Sequence, residues 1–262
     1  MRVKIDALLA YHFAQPADVL LSLEAIRADD QEIVSDNLSA HPESGLILAE
    51  GPEALGRRRW MEASGDMTIS YSALVDVVRG PVRIAGLRVP ARREMPYDVI
   101  RYLMPSRYCE SEKLSSFAEE AFSDKQGGDM VLAMSDWIFE NFEYAPGSSN
   151  ETTTATDTFL MRRGVCRDIA HTLISFCRAM GVPARMVSAY APAIDPPDFH
   201  AVVEVWLDHA WHLIDPTRLS REAELVRIAI GRDATDISFM TIFGAAELRD
   251  QRVAVEVVSG QG

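Results

Sequence analysis

The spacing of apolar residues changes twice along the chain, and these changes limit the folds that it can adopt. Up to about residue 80, apolar and polar residues alternate at every second position, which is typical of strands with one buried face. Between Ser111 and Gly181 the spacing becomes helical, and beyond residue 184 it alternates again. The clearest alternating segments are 18–26, 45–50, 66–78, 184–192, 200–207, 211–217, 225–231 and 252–259. We therefore predict an α+β protein in which a helical segment separates two sets of antiparallel strands.

The chain is expected to divide into two domains. Residues 1–85 are predicted to form an antiparallel β-sandwich-like domain whose alternating face packs inward. Residues 86–110 are predicted to form a linker, since the stretch around them contains several prolines and has no sustained periodicity. Residues 111–262 are predicted to form the second domain, whose sheet is completed by the C-terminal strands.

Three helices are predicted in the second domain. The first begins after Ser111 as its N-cap, and the second carries a stripe of Met and aromatic residues and ends at the sequence YAPGSSN. The third ends at Gly181 and Pro183, which stop a helix. Its predicted buried face consists of Ile169, Leu173, Phe176, Cys177 and Met180.

The composition excludes several classes of function. The formal net charge is −13, from 26 Lys and Arg against 39 Asp and Glu, which disfavours binding to nucleic acid or to an anionic membrane. No apolar run is long enough to span a bilayer, and the N-terminal residues resemble a strand rather than a signal peptide. The three cysteines do not form a disulfide pattern, so we expect a cytoplasmic protein. Neither CxxC nor HExxH is present, and we predict no metal site and no cofactor.

Cys166 stands at the predicted start of the third helix. The first turn of a helix presents unpaired N–H groups and the positive end of the helix dipole, which stabilise a thiolate. Cys166 is therefore a candidate nucleophile, although a simple buried cysteine is an equally acceptable interpretation from its position alone. Cys177 lies deeper in the same helix, where we expect an inert buried side chain.

His200 and Asp215 are candidates for the base and for the acid that orients it. A two-residue hairpin loop that pairs Leu207 with Ala210 would place Asp215 opposite Val202, on the face of the sheet that His200 shares. The two side chains would then be diagonal neighbours about 7–8 Å apart at the backbone. A register change of one residue would put them on opposite faces.

These motifs resemble the core of the transglutaminase-like superfamily. GVCRDIAHTLISFCRAMGVPAR is followed by FHAVVEVWLDHAWHLIDPT, and the likeness extends over about residues 105 to 218. RYLMPSRY at 101–108 and the β-rich N-terminal region are similar to the bacterial branch of cysteine-protease-like members, in which a β-sandwich domain precedes the core. The resemblance implies a papain-like fold in which Cys, His and Asp follow one another in that order.

The resemblance implies a role for each of these three residues. Cys166 would be the nucleophile, His200 the base and Asp215 the orienting acid of a catalytic triad. Many relatives have Trp where this chain has Val202, which implies that one aromatic wall of the cleft is absent. The oxyanion donor stays open between the backbone N–H of Cys166 and the hydroxyl of Tyr144, whose alternative role is to cap the second helix.

Two further residues are predicted to support the thiol. Gly164 would let the chain turn sharply into the helix and leave room for a substrate. Asp168 would favour the helix N-terminus, or else support the loop around the thiol.

The predicted reaction is acyl transfer from an amide of a protein or peptide through a thioester. Water as the acceptor would make the protein a peptidase or amidase, which we favour, and an amine would make it a transglutaminase. The alternatives are a non-catalytic binding scaffold of the same fold and an acyltransferase that uses a thioester donor.

Overall fold

The computed structural model describes residues 1–52 and 55–258, which form two large antiparallel sheets, a short parallel pair of strands and a group of helices. The strands are β1 Arg2–Glu24, β2 Gln31–His41, β3 Ile47–Ala49, β4 Arg57–Val77, β5 Glu143–Tyr144, β6 Arg163–Gly164, β7 Ala184–Tyr190, β8 Phe199–Leu207, β9 Ala210–Ile214, β10 Val226–Gly231, β11 Met240–Phe243 and β12 Glu247–Val258. The α-helices are α1 Tyr97–Ile100, α2 Ser111–Phe122, α3 Gly127–Asn141, α4 Ala155–Met161, α5 Cys166–Ala179 and α6 Ala234–Ile237. None of these helices is long and apolar enough to cross a membrane. The α+β class with antiparallel sheets is confirmed.

The N-terminal sheet is built on two unusually long strands. β1 and β4 pair from Arg2 and Asp76 at one end to Glu24 and Arg57 at the other, with register shifts after Phe13 and after Leu21. β12 and β2 flank this pair at the first end, and β11 and β3 flank it at the second. The strands thus belong to one six-stranded sheet. The inner face alternates as predicted and buries, among others, Val3, Ile5, Leu9, Ile69 and Val75.

The C-terminal strands return to this first sheet. The sequence analysis placed the segment 252–259 in the second sheet, and this prediction is wrong, because β12 pairs with β1 over residues 2–12. Ser259, the last residue of that segment, lies outside the described residues. β11 pairs with β1 as well. Alternation shows that a strand has one buried face, but it contains no information about the partner of that strand.

The second sheet has the strand order β10-β7-β8-β9 and is antiparallel throughout. β8 and β9 form the predicted hairpin, in which Leu207 pairs with Ala210. The two loop residues, Asp208 and His209, have φ angles of 44° and 62°. Positive φ at both central positions is the mark of a type I′ turn, which matches the twist of the flanking strands.

Helix α5 lies at the centre of the second domain. It contacts α2, α3 and α4 as well as β7 and β8. Every residue from Asp168 to Arg178 is buried, so the apolar face predicted from the sequence was too narrow. The helix begins at Cys166, as predicted, and Cys177 is completely buried. The N-cap of α2 is Glu110 rather than the predicted Ser111, which is already helical.

The connection between the domains packs closely against the start of α3. A Cβ atom added to Gly128 would lie 1.6 Å from the carbonyl oxygen of Ile84, and the N–H of Gly128 donates to the carbonyl of Leu87 at 2.9 Å. The backbone at the end of the predicted N-terminal domain and the start of the predicted linker therefore occupies the space that a side chain would need. This contact fixes residues 84–88 against the helical layer.

We expect Gly128→Ala to destabilise the protein by about 1–3 kcal/mol, since overpacking outweighs the gain of up to about 1 kcal/mol in helix propensity. Chemical denaturation monitored by circular dichroism measures the change. Gly45→Ala is the matched control, because no atom lies within 4 Å of its added Cβ. It should change stability by less than about 0.5 kcal/mol. Equal stability of the two variants would contradict the packing argument.

Candidate active site

The thiol of Cys166 lies at the first residue of α5. Asp168, in the first turn, accepts a hydrogen bond from the backbone N–H of Val165 at 3.0 Å and so caps the helix. The guanidinium of Arg167 also donates to Asp168, at 2.8 and 3.0 Å. Asp168 is completely buried, and its contacts are those expected of a residue that stabilises the helix N-terminus.

Gly164 has a different role from the one that the sequence suggested. Its backbone does not adopt the left-handed conformation, so no sharp turn requires a glycine here. A Cβ atom at this position would instead lie 2.8 Å from Cβ of Asp168 and 3.2 Å from Cγ2 of Thr158. Gly164 therefore makes room for the capping carboxylate of Asp168 rather than for a substrate.

His200 and Asp215 are brought together by the hairpin register. Nε2 of His200 lies 2.8 Å from Oδ2 of Asp215, and both side chains are buried. Val203 pairs with Ile214, and Asp215 is the next residue after β9. This register places Asp215 on the same face of the sheet as His200. The other ring nitrogen, Nδ1, is not used by Asp215, and the thiol of Cys166 is near enough to the imidazole to help raise its pKa.

The environment favours the charged forms of both partners. Burial lowers the pKa of His200, but the hydrogen bonds with Asp215 and Cys166 outweigh it and raise the pKa to about 10. Burial also opposes ionisation of Asp215, yet its hydrogen bonds, led by that from His200, hold its pKa below the usual value. The two residues thus form a buried ion pair of imidazolium and carboxylate.

Asp215 is held by two residues that the sequence analysis did not single out. Thr217 donates to Oδ1 from its N–H at 2.9 Å and from its hydroxyl at 2.6 Å. Ser220 donates to Oδ2 from its N–H at 3.0 Å and from its hydroxyl at 2.6 Å. Together with His200 these donors satisfy both carboxylate oxygens and fix their direction. The signal was present in the sequence, since Ser and Thr shortly after an Asp-Pro pair are typical of side-chain-stabilised turns.

Tyr144 lies beside the thiol because β5 and β6 pair. Tyr144 is the register partner of Gly164, and the N–H of Ala145 donates to the carbonyl of Gly164 at 2.9 Å. This pairing replaces the alternative role as a cap of α3, which ends at Asn141. Burial, followed by the charge of the neighbouring Cys166, raises the pKa of Tyr144 to about 12, so that the phenol keeps its proton at neutral pH.

A cleft of about 450 Å³ opens next to Cys166 and His200. Its walls come from β7, from the start of β8 and from the segment that includes α6 and the start of β11. The sequence implied that an aromatic wall is missing at Val202, and Val202 is indeed buried away from the cleft. Phe199 and Phe239 provide an aromatic wall instead, with their rings stacked at 4.4 Å. Sequence reasoning missed Phe239, because no local pattern connects it with Cys166.

Comparison with known proteins shows the family and the fold. The family model described as the transglutaminase-like superfamily matches residues 115–216. A crystal structure of a candidate cysteine protease from Cytophaga hutchinsonii has 34% sequence identity and a TM-score of 0.92, and the match covers 100% of this chain and 92% of that one. An uncharacterized protein of Mycobacterium leprae is 30% identical over 137 residues, which are 48% of this chain and 49% of the relative. The chain thus spans about half the length of that curated relative.

The ion pair predicts how stability depends on pH. His200, with a raised pKa, contributes fully below about pH 6.5, and its contribution falls as the pH rises towards 10. Asp215, with a lowered pKa, contributes fully above about pH 3.8 and loses its contribution below that value. The difference in unfolding free energy between the wild type and Asp215→Asn should therefore be largest between about pH 4 and 6.5 and smaller near pH 10.

Urea unfolding over this pH range measures that difference. Asp18→Asn is the control, because Asp18 is exposed on β1, and its effect should not change between pH 6.5 and 10. A difference for Asp215→Asn that stayed constant over the same range would contradict the ion pair.

Proposed function

Because the chain belongs to the transglutaminase-like superfamily, we propose that it hydrolyses amide bonds of proteins or peptides as a cysteine peptidase or amidase, with Cys166, His200 and Asp215 as its catalytic triad. The observation that carries the proposal is the contact of 2.8 Å between His200 and Asp215, which leaves the second ring nitrogen of His200 to the thiol. A carboxylate on one ring nitrogen orients the imidazole and stabilises its protonated form.

The acylation step uses the thiolate of Cys166 and the imidazolium of His200. The sulfur attacks the carbonyl carbon of the amide, a C–S bond forms, and the carbonyl oxygen takes the negative charge. The C–N bond then breaks, and the proton on Nδ1 of His200 passes to the departing nitrogen. An amine leaves, and the acyl group stays on Cys166 as a thioester. Asp215 keeps its negative charge throughout and stabilises the imidazolium.

The deacylation step consumes water. Neutral His200 takes a proton from a water molecule, whose oxygen attacks the thioester carbonyl. The C–S bond breaks, a carboxylic acid leaves, and the thiolate and imidazolium are restored. A primary amine in place of water would give a new amide, which is the transglutaminase alternative. Hydrolysis is preferred in this proposal because the relative of similar length is described as a candidate protease.

The oxyanion is assigned to two donors. The N–H of Cys166 belongs to the first helical turn, where backbone N–H groups have no acceptor within the helix. The hydroxyl of Tyr144 lies beside Cys166 and keeps its proton, so it can donate as well. Arg167 is occupied by Asp168, and it is not assigned a role in the chemistry.

The cytoplasmic location stays a prediction.

Removing the thiol should abolish both labelling and hydrolysis. We expect iodoacetamide near pH 7 to label the wild type at Cys166, as read by peptide mass mapping, and to leave Cys166→Ala unlabelled. Cys177→Ala is the matched control, since Cys177 lies in the same helix with its side chain completely buried. Equal labelling of Cys166→Ala and the wild type would exclude Cys166 as the nucleophile.

The same proteins, incubated with a peptide library with and without a primary amine, show the fate of the acyl group by mass. Free carboxylic acids in both incubations support hydrolysis, whereas amine adducts support transglutamination.

His200→Gln should lower kcat by about 10²–10⁴-fold. Full labelling of Cys166 without any turnover would instead favour the non-catalytic scaffold.

The role of Tyr144 is tested by Tyr144→Phe. Loss of an oxyanion donor should lower kcat by about 10²–10³-fold and leave KM nearly unchanged, because the donor acts mainly in the transition state. Glu143→Gln is the matched control, because Glu143 is the exposed neighbour in the same two-residue strand. An unchanged kcat in Tyr144→Phe would assign the oxyanion to the backbone N–H of Cys166 alone.

A further inference from the structure

The cleft beside Cys166 is a pocket with an apolar interior. Ala201 and Ile237 lie at its base, each less than a tenth exposed, together with the buried Ser188. Phe199 and Phe239 are half-buried and stack with an interplanar angle of 11°. Its volume of about 450 Å³ lies in the range of pockets that enclose small ligands.

The ionisable groups of the pocket lie at its mouth or are already paired. Arg107 and Glu151 are exposed, and Arg167 is held by Asp168. Apart from His200, the buried residues among the described lining carry two polar side chains, Ser188 and Tyr108, and the hydroxyl of Tyr108 already donates to the carbonyl of Glu151 at 2.6 Å. A charged side chain that reached Ser188, Ala201 and Ile237 would lose its hydration without gaining a partner of opposite charge among them, which is unfavourable.

The segment that forms the outer wall is firmly anchored. Asp233 accepts hydrogen bonds from the N–H of Thr235 at 2.9 Å and from the N–H of Tyr108 at 3.0 Å. At the other end of the segment, the N–H of Ser22 in β1 donates to the carbonyl of Phe239 at 2.9 Å. The wall is therefore preformed, which lowers the entropic cost of binding a side chain against it.

The two sides of the thiol differ in their exposure. The pocket side presents the buried residues Ser188, Ala201 and Ile237, while Tyr144 is 41% exposed and does not line the pocket. The acyl half of a substrate has to stay bound through both chemical steps, whereas the amine has to leave and water has to enter. The side with buried apolar surface suits the half that stays.

We infer that this pocket binds a large apolar side chain of the acyl half of the substrate, so that the preferred substrates are peptides with an aromatic or branched aliphatic residue within two positions of the scissile bond. This inference rests on the proposed function. It adds a class of substrate and assigns specificity to Phe199, Phe239 and Ile237, none of which takes part in the chemistry.

The test uses dipeptidyl chloromethyl ketones, which alkylate a nucleophilic thiol without any need for turnover. One series carries Phe, Leu, Asp or Lys next to the reactive group and Gly at the second position, and the other series reverses the order. In one of the two series the wild type should be alkylated at Cys166 at least about tenfold faster by the Phe and Leu reagents than by the Asp and Lys reagents. The rate with iodoacetamide serves as the reference for the intrinsic reactivity of the thiol.

Variants of Phe239 test whether the preference for apolar reagents comes from the pocket. Phe239→Ala should reduce the ratio of the Phe and Asp rates by about tenfold, and Phe239→Leu should keep most of it. Phe243→Ala is the matched control, because Phe243 lies four residues further on, is 59% exposed and does not line the pocket. Its ratio should equal that of the wild type. The rate with iodoacetamide, measured for each protein, records any change in the reactivity of the thiol itself.

The outcomes separate the inference from the proposed function. Equal rates for all four side chains in both series, or a preference that Phe239→Ala leaves intact, would overturn the inference even if the wild type hydrolyses peptides. An apolar preference that depends on Phe239 would support the pocket even if no peptide were hydrolysed, and only the proposed reaction would then fail.

Discussion

The two-residue turn at Asp208 and His209 sets the register on which the site depends. Both residues have positive φ, so the turn closes without an additional residue, and Leu207 pairs with Ala210. Side chains alternate between the two faces of a strand, and a loop longer by one residue would move Asp215 to the opposite face from His200. The 2.8 Å contact between these two residues, and with it the orientation of the imidazole towards the thiol, therefore follows from the length of one loop.

Helix α5 carries the thiol of Cys166, and contacts made by its buried residues fix the position of the helix. Arg178 at its end donates to the carbonyl of Ala184 at 2.9 and 3.1 Å, which ties the helix to the start of β7. His171 accepts from the N–H of Ala234 at 3.1 Å, and burial lowers its pKa to about 4, so that it stays a neutral acceptor. The same ring stacks on Tyr108 at 5.1 Å. The helix that carries the thiol is therefore joined directly to the segment that forms the wall of the cleft.

Sequence reasoning reached the features that depend on neighbouring residues. The start of α5 at Cys166 follows from local capping, and the pairing of β8 with β9 follows from a short loop. It failed where the partner is distant along the chain, because periodicity shows which face of an element is buried but not what covers it. The return of β12 to β1 and the position of Phe239 in the cleft are both of this kind. Gly164 was predicted to allow a sharp turn and to leave room for a substrate, whereas it makes room for the side chain of Asp168. The close approach of these two residues cannot be derived from the sequence.

The return of the C-terminal strands to the first sheet makes the two predicted domains interdependent. β11 pairs with residues 18–21 of β1, and the residue just before it, Phe239, is hydrogen-bonded to Ser22 and stacked on Phe199 of the second sheet. The N-terminal sheet is thus part of the wall of the cleft rather than a separate appendage. The thiol, imidazole and carboxylate all belong to the second domain, and the first sheet reaches the cleft through the contact of Ser22 with Phe239. The aromatic wall of the cleft therefore depends on contacts with both sheets, although Phe199 directly precedes His200 on β8.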